Sequence, residues 1–216
     1  LIIWLRILNS KTVKIDIHPI GNTMNYETPF KLYGINGERK YLNQVERTKF
    51  YECAEKLPLP KRLFCQMMFY TGARISEISE LSSRQIDFVD KSVIIRSLKK
   101  RRDDVYRQIP LPDHVLGALL VYIDVSRRDG LLNENHIWPF SNRTCSRIIK
   151  AIMIEAGIGG VKSSSLGLRH GFAVHTASTV PISLVMDLMG HASLTTTSIY
   201  LQVKGKEKRE WMEKVW

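Results

Sequence analysis

Six polar side chains of the 216-residue chain stand in otherwise apolar or turn-forming surroundings. Arg74 follows a glycine in "TGARISEISEL", Lys99 and Lys100 open the charged run "KKRRDD", Arg169 is embedded in the apolar stretch "LGLRHGFAVH", and His191 and Tyr200 lie nine residues apart in "LMGHASLTTTSIY". A guanidinium presents a planar fork of N–H donors that stays charged at any physiological pH, a shape suited to an oxyanion. Tyrosine, with an ordinary pKa of about 10, becomes a nucleophile only where a neighbouring charge or base lowers the cost of losing its proton. Taken singly, each residue has a plainer reading. A helix-flanking arginine is solvated, a hairpin lysine guards a turn, and a tyrosine packs.

Around these residues, local patterning predicts a mainly helical α+β chain. Asn43 and Glu46 have capping-box spacing, and Val45, Phe50, Ala54 and Leu57 fall along one side of a helix that ends at Pro58. Pro60 opens a second helix with Leu63, Phe64, Met67 and Met68 inward, stopped at Thr71-Gly72, and "RISEISEL" reads as a short third with Ile75, Ile78 and Leu81 inward. The runs "QIDFV", "SVIIRSL" and "VYRQIPL" predict a small three-stranded antiparallel meander whose last loop is "KKRRDD". Helix returns in "PDHVLGALLVYIDVSRR", with Val115, Leu119, Tyr122 and Leu116, Leu120, Ile123 as overlapping series, and in "SNRTCSRIIKAIMIEAGIGG", with Ser141 as N-cap. Further helices are expected at 166–178, 181–189 and 193–201, with a charged helical tail at 205–216.

Composition bounds the partners. With 44% hydrophobic residues, the chain can build one main core, placed at 41–216. Residues 1–40 carry the turn-prone clusters "HPIGNTMN" and "YGINGERK" with no helical period; this segment is expected to be weakly ordered, with Met24 a candidate natural start. Thirty-two Lys and Arg against 21 Asp and Glu leave a formal charge of +11, which favours a polyanion: nucleic acid first, an anionic membrane surface second, a merely basic soluble surface as the plain alternative. Cys53, Cys65 and Cys145 lack metal-ligand spacing and read as reduced thiols of a cytoplasmic protein, with no disulfide scaffold or zinc site indicated; no metal and no other cofactor is expected. The opening "LIIWLRIL" is interrupted by Arg6, too short to span a bilayer, and lacks the features of a secretory signal.

Together, "TGARISEISEL", "LRHGFAVH" and "LMGHASLTTTSIY" resemble the tyrosine recombinase (phage integrase) family, over roughly residues 43 to 203. The wording "SLKK" after the second strand is especially similar to fimbrial-switch invertases and plasmid-encoded resolvases. The resemblance implies a tyrosine recombinase catalytic domain that cleaves and rejoins double-stranded DNA at specific sites, giving integration, inversion or resolution. Arg74 and Arg169 would clamp the scissile phosphate, fixed in advance where negative charge develops. His191 would donate to or position that phosphate, Tyr200 would attack to form a 3′-phosphotyrosyl intermediate, and Lys99, with Lys100 as alternative, would protonate the leaving 5′-oxygen. A one-residue hairpin slip exchanges the faces of the two lysines. Arg101, Arg102, Arg143 and Arg147 are candidate DNA-phosphate contacts. The resemblance further implies four protomers on two duplexes, accessory DNA-bending proteins in some settings, no membrane, and a C-terminal basic helix at 204–216 that docks on a neighbour or folds back on its own domain.

One position departs. The family usually reads His-x-x-Arg at the second arginine, whereas here Leu166 takes the histidine's place. Leucine can neither accept the phenol proton nor bond a phosphate oxygen, and His170, about 100° further round a helix from Arg169, does not replace it and reads as a supporting residue. Two other functions stay open on these residues: a type IB topoisomerase-like nicking and resealing activity, and a DNA-binding remnant that occupies its site without cutting.

Overall fold

The computed structural model describes residues 2–7, 11–16, 31–96, 105–131 and 136–202, together with 212, 213 and 215. The chain divides into two units, Leu1–Phe30 and Lys31–Trp216. In the first, β1 (Ile2–Ile7) and β2 (Lys11–Asp16) pair antiparallel from Ile2 opposite Asp16 to Ile7 opposite Lys11, a hairpin that the turn signals of this segment do not announce. Met24 lies outside the described residues.

The second unit is mainly helical, with a three-stranded sheet. Helix α1 (Gln44–Glu55) starts in the expected capping box: Asn43 Oδ1 accepts the Glu46 N–H, and the Glu46 carboxylate accepts the Asn43 N–H. Phe50 and Ala54 face the core as expected, but Val45 is exposed, while Arg47, two residues on, is buried in its place. Helix α2 (Leu59–Thr71) buries Leu63, Phe64, Met67 and Met68 and ends at Gly72 in the left-handed conformation, φ 57°. A side chain there would be strained, and its Cβ would also fall 2.2 Å from the Phe172 ring. Helix α3 (Ile75–Ser79) follows directly.

Strands β3 (Ile86–Asp87), β4 (Ser92–Arg96) and β5 (Tyr106–Pro110) form the expected antiparallel meander, in the order β3-β4-β5. Its buried face pairs Val93 with Ile109 and Ile95 with Arg107, so a charged residue sits at a core position. Helix α4 (Asp113–Arg128) turns Val115, Leu119, Tyr122, Leu116 and Ile123 inward. Leu120, expected with them, is exposed: two i, i+4 series cover more of the helix surface than one packed face requires. Helix α5 (Asn142–Glu155) is capped by Ser141, whose Oγ accepts the Thr144 N–H. Trp138 joins these layers, stacking on Tyr122, meeting Phe64 edge-on and donating its indole N–H to Ile78 O at 2.7 Å. The remaining helices are α6 (Ser165–Ala177), α7 (Ile182–Met189) and α8 (Leu194–Ser198), the last running into a 3-10 turn at Ile199–Leu201.

The three cysteines are buried and unpaired; burial raises the Cys65 thiol strongly and moves Cys145 up to about 11, away from thiolate chemistry. Among the described residues no helix is long and apolar enough to cross a membrane, and no group of His, Cys, Asp or Glu is placed to hold a metal ion. The tail expected at 204–216 lies almost wholly outside the described residues.

Candidate active site

Helix α6 carries the centre of the site because it is enclosed on every side: residues 167–174 are all buried. Its close seat depends on Gly171, where a Cβ would come within 2.7 Å of Leu42 O. A guanidinium in so enclosed a helix must find acceptors. Arg169 finds two carbonyls that helix ends leave unpaired, donating from Nη1 to Gly72 O at 2.6 Å and from Nη2 to Met189 O at 2.7 Å. The negative ends of the α2 and α7 dipoles thus converge on its charge. Each Nη retains a second hydrogen for another acceptor. Burial, with the nearby Arg74 charge acting the same way, lowers Arg169 to about 10.

Arg74 stands at the start of α3, its side chain 26% exposed, and is held by a carboxylate one turn on: Nη1 donates to Glu77 Oε1 at 2.8 Å while the Arg74 backbone N–H donates to Oε2 at 2.8 Å. Glu77 is buried and also binds Arg107, whose Nη2 lies 2.6 Å from Oε2 and whose Nε donates to Leu188 O. Burial alone would raise the Glu77 carboxyl, but the bonds and charges of Arg107 and Arg74 outweigh it and hold the carboxyl below its ordinary value. The charges acting on Arg169 come from Arg74, Glu77, Tyr200 and Arg107. Three guanidiniums therefore gather with a single carboxylate, and the excess positive charge suits an anion.

Tyr200 reaches this cluster from the 3-10 turn after α8 and is 1% exposed. Its Oη shares a 2.9 Å hydrogen bond with His170 Nδ1, and the His191 ring stacks on its ring at 6.1 Å between centroids and 17° between planes. His191 is itself oriented by a 2.9 Å bond between Nδ1 and Thr197 Oγ1. Burial raises Tyr200 to about 12, against the opposing pull of Arg169 and Arg74, and lowers His170 to about 3. The bond thus joins a phenol to a neutral imidazole, and moving the proton along it is steeply uphill. The bond with His170 orients the Tyr200 hydroxyl.

The chain therefore brings Arg74, Arg169, His191 and Tyr200 to one place. Lys99, Lys100, Arg101 and Arg102 lie outside the described residues. Arg143 and Arg147 are exposed one turn apart on α5. Leu166 is 51% exposed in the first turn of α6. Glu77, Arg107 and the His170 bond escaped sequence reasoning. A signal for Arg107 was present: in "VYRQIPL" it shares the parity of the buried Ile109.

Known proteins supply an independent comparison. Residues 40–207 match the phage integrase family. A tyrosine recombinase of Thermosipho africanus (strain TCF52B) is 33% identical over a match covering 81% of this chain and 68% of that protein. Tyrosine recombinase XerA of Pyrococcus furiosus is 31% identical, covering 86% and 69%. A crystal structure of XerA recombinase superposes with a TM-score of 0.67 at 27% identity, covering 81% of this chain and 64% of that one. XerH bound to its difH substrate, at 21% identity, shares the fold with a TM-score of 0.68, covering 85% and 59%. The chain thus spans about two thirds or less of the length of these relatives.

Proposed function

Because the chain belongs to the phage integrase family, the tyrosine recombinases, whose chemistry is the cutting and rejoining of DNA strands, we propose that it is a site-specific recombinase of double-stranded DNA acting through Tyr200. The observation that carries this reading is the gathering of three guanidiniums and one carboxylate beside a buried tyrosine flanked by two histidines. Arg74 and Arg169 bind the non-bridging oxygens of the scissile phosphate and stabilise the charge that builds there in the transition state. Glu77, by holding Arg74 and Arg107, fixes that clamp before DNA arrives. His191 donates to the same phosphate. Tyr200 Oη gives up its proton to water as it bonds to phosphorus, the P–O5′ bond breaks, and Lys99 or Lys100 protonates the departing oxygen. The phosphotyrosyl bond conserves the phosphodiester energy, so a free 5′-hydroxyl of a second duplex reverses the step. In this reading four protomers act on two duplexes, with Arg101, Arg102, Arg143 and Arg147 contributing phosphate contacts whose strength falls steeply with salt.

The test is incubation with a nicked duplex carrying the recombination site, from which the 5′-hydroxyl diffuses away and traps the intermediate. A denaturation-resistant protein–DNA adduct is the expected product. Leu166 favours a second reading, a protein that binds its site without cutting; tight binding with no adduct decides for that one.

Leu166 also yields a graded prediction. Its side chain is half exposed, so Leu166→His creates no core cavity and restores a group able to accept the phenol proton. Single-turnover adduct formation is expected to speed up about tenfold or more, at the low end of or below the usual contribution of a positioned acid–base group. An unchanged rate would show that the phenol proton leaves by another route.

A further inference from the structure

Away from Tyr200, a buried arginine lines a cavity with no carboxylate beside it among the described residues. Arg47, on α1, is 4% exposed, yet its Nε and Nη1 have no hydrogen-bond partner among the described residues. Its one such bond is long, from Nη2 to Phe69 O at 3.5 Å, and no described carboxylate pairs with it. The guanidinium lies 4.2 Å from the Phe69 ring centre and 6.0 Å from that of Phe172. A buried charge met by one long hydrogen bond and two ring faces is costly and rare. Burial lowers Arg47 to about 10, which leaves it a cation at neutral pH.

The cavity beside it, about 240 Å³, is lined by Gln44, Arg47, Phe69, Tyr70, Phe172 and His175. Of these, Gln44 and His175 are exposed and Arg47 is buried. Three aromatic rings make the walls, so the occupant needs an apolar body. The charge balance is also selective. Arg47 is the one guanidinium of the lining, and partial burial followed by the Arg47 charge lowers the His175 pKa. A monoanion matches that charge, whereas a phosphate dianion would bring a second, uncompensated charge into a site walled by hydrocarbon. None of the six residues belongs to the Tyr200 cluster.

We propose that this cavity is a binding site for a monocarboxylate on a small apolar or aromatic body, held by Arg47 between the rings of Phe69, Tyr70 and Phe172. The site does not depend on the recombinase reading, and its test needs no DNA. Benzoate is titrated into the full chain, with benzamide as the neutral isostere and inorganic phosphate as the oxyanion without an apolar body, and read by thermal unfolding and by the Arg47 Nε–H resonance. Benzoate is expected to raise the melting temperature saturably and to shift that resonance, with benzamide and phosphate at least tenfold weaker. Arg47→Met should weaken benzoate at least tenfold while leaving the free protein no less stable, since it removes an unsatisfied buried charge; a purely structural arginine would lower stability instead. Equal effects of benzamide or phosphate overturn the proposal, as does benzoate binding within twofold of wild type in Arg47→Met. A wild-type resonance unmoved by benzoate overturns it whether or not the variant folds.

Discussion

Tyr200→Phe is expected to abolish the covalent protein–DNA adduct on a nicked duplex while leaving binding to the same duplex unchanged. Phenylalanine keeps the ring that stacks on His191 and fills the same buried volume, so the variant loses only the hydroxyl and its bond to His170. Losing one such bond costs about 1 kcal/mol of stability. Losing the nucleophile costs chemistry on another scale, on the order of a million-fold where a hydrolase is deprived of its attacking group. The two magnitudes separate the roles: a melting temperature within a few degrees of wild type, with no adduct on a denaturing gel, identifies Tyr200 as the attacking residue. An adduct that persists in the variant would move the nucleophile elsewhere.

Glu77→Ala is expected to be the most damaging single change outside the nucleophile, and to damage two things at once. The carboxylate is fully enclosed and accepts from both Arg74 and the buried Arg107. Its removal leaves the Arg107 charge uncompensated in the interior, a loss of about 3–5 kcal/mol that equilibrium denaturation will register. It also frees Arg74, so the adduct rate falls further than the folded fraction does. The pH dependence has a definite sign. A carboxyl whose folded pKa lies below its unfolded value stabilises the fold above the ordinary carboxylate pKa, and the contribution disappears as pH falls through the lowered folded value. Wild-type stability should therefore drop through the acid range below about pH 4.5, and Glu77→Gln should flatten that part of the profile. A variant that keeps the wild-type acid slope would assign the acid sensitivity to another carboxylate.

What the sequence made legible was local. The Asn43–Glu46 capping box, the Gly72 stop and the Ser141 cap rest on contacts three or four residues apart, and each stands where its spacing put it. The boxes around Arg74, Arg169, His191 and Tyr200 were legible as a family pattern, and the chain brings those four side chains together. The network that supports them was not. Glu77 and Arg107 are 30 residues apart, as are His170 and Tyr200, and Arg169 and Gly72 are 97 apart. Such pairings are set by how helices pack, which no local period encodes. Val45 and Leu120 erred for a related reason: helical spacing says which residues share a face, while only the packed neighbours decide how wide a face is covered.

Arg169 ties the end of α2 to the end of α7 through two carbonyls, so a single side chain is a rivet and, in the proposed function, a reagent as well. In a genetic screen the two kinds of loss would part company. Alleles at Arg169 would be temperature-sensitive and recessive, because the protein they encode disappears from the cell. In the proposed four-protomer assembly, an allele encoding Tyr200→Phe would persist, join wild-type partners on DNA and silence them, behaving as a dominant negative.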